Sequence, residues 1–272
     1  MVRSRGSLKA LLSAAFVLVV LTAAPGRAQA PDQPTGAKTW VGHAKEIEDY
    51  LKSAEVVDIK QTSVGVTHPG HAKLAPGGPV ESIAWKNLKP GRYEGYFESY
   101  KSEIAAYELD KLLGLQMVPP TVEKRVKGDL GAAVMWINDA KTFKDLGGVP
   151  GQKGVPGPPP AHIAYWMHEL TRAKMFDDLI GNIDPNLGNW LVDSDWNIIL
   201  IDHSRAFTDT KELYHNLMYY DHDLWDKMKA LDEATLTSTL GELVGKGEIK
   251  AILQRRDKMG QVIDKLKAAG GD

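Results

Sequence analysis

A glycine- and proline-rich stretch, residues 138–160, divides this chain into two parts with different patterns. Before it, residues 55–137 hold short β-prone runs separated by turn residues, with one helical pattern over residues 100–113. After it, residues 161–272 are mostly helical, with two short apolar strands between 190 and 201. This order predicts an α+β protein of two lobes: a β-rich amino-terminal lobe with one helix, a connecting loop, and a mainly helical carboxy-terminal lobe.

The amino terminus predicts export. Three basic residues precede an apolar run at 10–24, and small residues follow it, which is the pattern of a signal peptide over residues 1–28. The run is shorter than the roughly 20 residues that cross a bilayer, so we expect cleavage, no membrane span afterwards, and a periplasmic or extracellular protein. Residues 29–54 then form a tether and leading segment.

Composition narrows the choice of partners. All 35 acidic residues lie after residue 28, whereas some of the 33 basic residues lie before it, so the remainder is acidic. Nucleic-acid binding needs clustered Lys and Arg, and we therefore expect no nucleic-acid partner. The chain has no cysteine, which excludes disulfides and thiolate metal ligands.

Three polar side chains follow the long helix of the second part. Asp184 and Asn189 lie in a loop, and Asp202 ends an apolar strand that folds back beside it. Phosphoryl transfer needs one carboxylate to orient a hydroxyl, and an amide and a second carboxylate to hold Mg²⁺ or Mn²⁺. The spacing Asp-x-x-x-x-Asn is also that of the protein-kinase catalytic loop.

Turn formation is the alternative for the first two residues, because Asp and Asn are common in turns. It is less favoured because Asp202 follows four apolar residues, where a carboxylate is costly without a metal or partner. A calcium loop beginning at Asp193 is excluded, since Ile198 and Ser204 stand where such a loop requires Gly and Glu.

Residues 176–202 resemble an atypical kinase clan that includes phosphatidylinositol 3- and 4-kinases, HipA-type toxin kinases and secretory-pathway casein kinases. The resemblance extends to a glycine turn at Gly65, a strand lysine at Lys86, a helix glutamate at Glu103, and a Gly-Leu-x-x-Val-Pro sequence after that helix. It covers about residues 55–210. The resemblance implies a protein-kinase-like fold and a bacterial, exported member of the clan.

The resemblance also implies a nucleotide site. Lys86 would contact the α and β phosphates of ATP, Glu103 would hold Lys86, and the backbone at Gly65 would approach the phosphates. The segment implied to hold adenine consists of Met135, Trp136 and Ile137.

The resemblance further implies that Asp184 is the catalytic residue and that Asn189 and Asp202 are the ligands of Mg²⁺ or Mn²⁺. We thus expect an ATP-dependent phosphotransferase, whose acceptor is a protein, a lipid or a small molecule. Pro185 replaces an arginine that many relatives carry, and no arginine precedes Asp184. Two alternatives therefore stay open: an inactive kinase-like nucleotide-binding module, and a nucleotidyl (AMP) transferase on the same fold.

Overall fold

The computed structural model describes residues 36–61, 70–184 and 186–270. The predicted signal peptide and the predicted phosphate-contacting Gly65 lie outside these residues. In the described ranges, no helix is long and apolar enough to cross a membrane.

The strands of the described residues form three antiparallel sheets. The first has five strands in the order β1-β2-β3-β7-β6, the second has three in the order β10-β9-β8, and the third is the hairpin β4-β5. Their bounds are β1 Val56–Gln61, β2 Gly70–Leu74, β3 Ser82–Lys86, β4 Gly91–Tyr93, β5 Tyr96–Glu98, β6 Thr121–Val126, β7 Asp129–Met135, β8 Ala140–Thr142, β9 Trp190–Asp193 and β10 Ile198–Leu200.

Most of the helices follow the sheet-forming part of the chain. The bounds are α1 Ala44–Ser53, α2 Tyr100–Leu113, α3 Ile163–Ile180, α4 His222–Lys229, α5 Glu233–Leu240 and α6 Lys246–Ala268. A short 3₁₀ turn, Pro160–His162, precedes α3. The α+β class is confirmed: a β-rich amino-terminal lobe is followed by a mainly helical carboxy-terminal lobe.

The five-stranded sheet is covered on both faces. Successive residues of a strand point to opposite faces. Ala132 and Val134 of β7 pack against α2, and Ala133 and Met135 share a core with α1. This alternation explains why β7 is apolar almost throughout.

Helix α2 confirms the predicted helix with a glycine stop. The hydroxyl of Ser99 accepts a hydrogen bond from the N–H of Lys101 at 3.0 Å, which caps the first turn. Gly114 ends the helix at φ 62°, a left-handed conformation that glycine adopts without steric cost. Helix α2 is buried on several sides because it packs on both the sheet and the carboxy-terminal lobe. Ile104 packs with Ala132 and Val134 of β7, whereas Leu109 belongs to the core of the carboxy-terminal lobe.

The second core lies in the carboxy-terminal lobe, between α2 to α6 and the small sheet. That sheet includes β8, which comes from the stretch predicted as a connecting loop and pairs with β9. The hairpin of β9 and β10 was predicted, and Trp190 pairs with Leu200 in it.

Residues 36–43 contact the carboxy-terminal lobe before α1 begins. The N–H of Ala37 donates to Asp193 Oδ2 at 2.9 Å, and Lys38 Nζ lies 3.0 Å from Glu169 Oε2. The chain then enters α1, which packs on the amino-terminal sheet. Part of the range predicted as a tether and leading segment therefore joins the two lobes.

The buried ion pair predicts a large effect on stability. The side chains of Lys38 and Glu169 are each 2% exposed. Lys38→Met should lower the free energy of unfolding by about 3 kcal/mol, because the buried Glu169 carboxylate then keeps only the partly exposed Arg172, 3.2 Å away, as a counter-charge. Lys45→Met is the matched control, since Lys45 is 78% exposed and its pair with Asp49 should contribute less than about 1 kcal/mol. Urea unfolding measures both, and equal losses would contradict the role given to Lys38.

Candidate active site

Lys86 lies between two carboxylates. Its Nζ is 2.6 Å from Glu103 Oε1 and 2.8 Å from Asp202 Oδ1. Burial alone lowers the pKa of this ammonium, but the charges of Asp202 and Glu103 raise the pKa above its usual value. Lys86 is therefore charged at neutral pH. Lys86, Glu103 and Asp202, here the Lys86 triad, carry a net charge of minus one.

Glu103 connects the two lobes. It lies in the first turn of α2, where its side chain is 2% exposed, and its Oε2 accepts a hydrogen bond from the N–H of His203 at 3.0 Å. Glu108, five residues later on the same helix, pairs with Lys111 instead. Of these two glutamates, only Glu103 faces the strand lysine.

Asp202 follows β10 in a left-handed backbone conformation. Its φ of 61° costs roughly 1–2 kcal/mol for a residue other than glycine, and such conformations cluster at functional sites. Burial alone raises the pKa of the carboxyl, but the Lys86 ammonium holds the pKa below its usual value. Its side chain is 29% exposed, and within the described part of the chain its Oδ2 makes no hydrogen bond. One oxygen is thus available to a ligand.

The hairpin brings Asn189 close to Asp202. Asn189 precedes β9, and its carbonyl accepts a hydrogen bond from the N–H of Ile201 at 3.0 Å. Its side chain is buried, and the Nδ2 atom has no partner among the described residues. A buried polar atom without a partner is costly, and it is a common feature of a site that awaits a ligand.

Asp184 lies in the loop after α3. Its N–H donates to Asn182 Oδ1 at 3.2 Å, and its own side chain is 29% exposed. Gly181 begins the loop at φ 62°, and any side chain there would clash with Arg255, because a Cβ would lie 2.7 Å from the guanidinium. The backbone therefore turns sharply at the point where the loop leaves the helix.

Arg205 is a site residue that sequence reasoning missed. Its Nη1 lies 3.7 Å from Asp184 Oδ2, and its Nε and Nη2 donate to Glu98 Oε1 at 3.0 and 2.8 Å. The guanidinium also lies 4.6 Å from the ring centroid of Tyr96. A signal was present: Arg205 follows Asp202 by three residues and is the nearest cation in sequence after the predicted metal ligand.

The predicted adenine segment lies at the end of β7. The backbone N–H of Trp136 donates to the carbonyl of Ser82 at 3.1 Å, and the indole ring stacks on His71 at a centroid distance of 4.1 Å. His71 pairs with Ala84 in the sheet, so its side chain lies on the same face as Lys86, two residues further along. Sequence reasoning missed His71, whose position depends on strand register.

Of the predicted site residues, the structure brings the Lys86 triad into direct contact, with Asn189 beside Asp202 and Asp184 beside Arg205. The side chain of Met135 is buried within the sheet core that contains α1, and Ile137 packs against that core. In the ranges 36–61, 70–184 and 186–270, no group of three or more His, Asp or Glu side chains is placed to hold a metal ion. The metal ligands expected there are one amide and one carboxylate.

Comparison with solved structures shows the fold. The chain superposes on hydra Fam20 with sugar at a TM-score of 0.60 and 14% identity, covering 83% of this chain and 89% of that one. It superposes on the Golgi casein kinase at 0.55 and 14% identity, over 81% and 74%. The Golgi casein kinase with Mn/ADP bound gives 0.55 and 13%, over 81% and 75%.

No protein-family profile matches the sequence, and no curated protein matches it. The structural likeness is nevertheless consistent across these proteins. The protein has a two-lobed, kinase-like fold similar to that of these solved structures, and the fold that the sequence resemblance implied is confirmed.

The buried His203 predicts a pH effect on stability. Burial lowers the pKa of its imidazole, so the folded protein keeps it neutral, whereas the unfolded chain binds a proton below about pH 6.5. The free energy of unfolding should therefore fall as the pH drops below that value. Between pH 7 and 5.5, the loss should be about 1 kcal/mol smaller in His203→Phe than in the wild type. Urea unfolding at both pH values measures it.

The control is His43→Gln at an exposed position, which should keep the pH dependence of the wild type. An identical pH dependence of His203→Phe and the wild type would show that the imidazole titrates alike in the folded and unfolded states.

Proposed function

We propose that this protein is an ATP-dependent phosphotransferase that uses Mg²⁺ or Mn²⁺. The observation that carries the proposal is the Lys86 triad, with Asp184 and Asn189 in the loop that leads into the β9–β10 hairpin. Two carboxylates around one ammonium leave a net negative charge, which a divalent cation balances. The partly exposed Asp202 carboxylate is open to a cation, and the unpartnered Asn189 Nδ2, an N–H donor, is open to an acceptor such as a phosphate oxygen.

The nucleotide-binding groups come from both lobes. Lys86 holds the phosphates of ATP, and Glu103 keeps the ammonium in place. Met135, Trp136 and Ile137 border the base, with the His71 ring stacked on Trp136. Asn189 and Asp202 would hold the cation together with the phosphates. Proteins commonly bind Mg²⁺ through one or two carboxylates and the phosphate oxygens of the substrate. The bound cation would neutralise charge on the phosphates.

Asp184 acts on the acceptor. Its carboxylate orients the attacking hydroxyl and accepts its proton as the hydroxyl oxygen bonds to the γ-phosphorus and the bond to ADP breaks. Arg205, whose Nη1 lies 3.7 Å from Asp184 Oδ2, limits the position of this carboxylate. This arginine compensates for the missing arginine beside Asp184 in sequence.

The solved structures support this proposal through the fold. One of them, the Golgi casein kinase, holds Mn and ADP, and another, hydra Fam20, holds a sugar. The acceptor of the present protein is a protein, a lipid or a small molecule.

Three variants separate binding from transfer. Asp184→Asn should bind ATP with Mg²⁺ or Mn²⁺ nearly as the wild type does, but lose transfer by roughly 10² to 10⁴, the contribution of a positioned base. Lys86→Met and Asp202→Asn should each weaken ATP binding by roughly tenfold or more, because they remove charges that hold phosphates and metal. Calorimetry measures ATP affinity, and mass spectrometry measures phosphate or AMP transfer.

Glu108→Gln is the control for these charges, since Glu108 lies on α2 but outside the triad, and it should change neither quantity. Loss of nucleotide affinity in Asp184→Asn as large as in Asp202→Asn would overturn the role of Asp184. An AMP adduct in place of phosphate identifies a nucleotidyl transferase. If the wild type binds no ATP with either Mg²⁺ or Mn²⁺ present, the proposal is contradicted.

Export is a separate part of the proposal and rests on residues 1–28. Amino-terminal sequencing of protein from the envelope fraction of its host should give a start near Gln29 or Pro31. A mature chain that keeps Met1 in the cytoplasm would contradict it.

A further inference from the structure

A cavity of about 570 Å³ lies in the carboxy-terminal lobe, apart from the Lys86 triad. Its volume falls within the range of sites for small molecules. One wall is a stripe of α3 at helical spacing, formed by Ile163, Met167, Leu170 and Lys174. Residues of the glycine- and proline-rich stretch, between 149 and 158, also line the cavity.

The floor of the cavity is aromatic and buried. The ring of Phe143 lies 5.7 Å from that of Trp166 and 5.7 Å from that of Trp190, with interplanar angles of 54° and 52°. Other apolar side chains along the rim remain open to solvent: Ile163 is 49% exposed, and Met167 and Leu187 are 40% exposed. Apolar residues left exposed around a concave site mark a place for a ligand.

One end of the cavity is positively charged. Lys174 lies eleven residues, or roughly 16 Å, along the helix from Ile163. It makes no ion pair with any described residue, and no carboxylate lines the cavity. His215 lies near the same end, since it bonds to Asp177, three residues after Lys174.

We propose that this cavity binds a small molecule with a flat apolar body and one anionic group. The body lies on the aromatic floor, and the anion meets the Lys174 ammonium, which has no counter-charge of its own. Leu187, between Asp184 and Asn189 in sequence, lines the same cavity. A bound molecule therefore contacts the loop of the candidate active site, yet its binding requires neither nucleotide nor phosphotransfer.

The test uses the full exported chain without nucleotide. The probes are 2-naphthoate and the uncharged 2-naphthylmethanol, and calorimetry gives the two affinities. We expect naphthoate to bind more tightly. Lys174→Gln should weaken naphthoate binding about fivefold and leave naphthylmethanol within about twofold. The matched control is Lys250→Gln, an exposed lysine of α6 that should leave both affinities unchanged.

A second pair of variants guards against misfolding. Met167→Glu should weaken naphthoate much more than Met167→Gln does, because both change the same partly exposed side chain and only one adds a negative charge. Equal affinities for the two probes, or no effect of Lys174→Gln, would overturn the anionic ligand. If neither probe binds, or if sedimentation shows a dimer that Met167→Glu dissociates, the small-molecule site is overturned.

Discussion

The arrangement of the lobes depends on the two ion pairs that the Lys86 ammonium makes with Glu103 and Asp202. A buried ammonium is costly unless opposite charges surround it, and here one carboxylate comes from α2 and the other from the end of β10. Strand β3, helix α2 and the hairpin of the carboxy-terminal lobe must therefore come together at one point. The hydrogen bond from the His203 N–H to Glu103 strengthens this junction.

The five residues after β10 supply two charges of opposite sign to the candidate active site. Asp202 faces Lys86, and Arg205 lies between Asp184 and the buried Glu98. Because one short segment positions both, a shift of its backbone changes the charge around the proposed phosphate site and around the proposed base together. A chain that lacks an arginine beside Asp184 in sequence still has one beside it in space.

Much of the fold was predictable because its long elements have regular periodicity. Helix α2 was predicted from apolar spacing and from Gly114, and the hairpin from two apolar runs around a turn. Strand β8 was not predicted, because it has three residues and pairs with β9 about fifty residues later, so no local signal marks it. In the site, the pairing of Lys86 with Glu103 followed from the resemblance, whereas His71 and Arg205 depend on register and folding.

The contacts of residues 36–43 have a consequence for the order in which the chain folds. Ala37 bonds to a residue 156 positions later, and Lys38 to one 131 positions later. During synthesis both must wait until α3 and the hairpin exist, and closing such long loops is costly in entropy. The earliest described residues are thus among the last to reach their partners. Residues near the amino terminus therefore complete the contact between the lobes, after the elements that they join have formed.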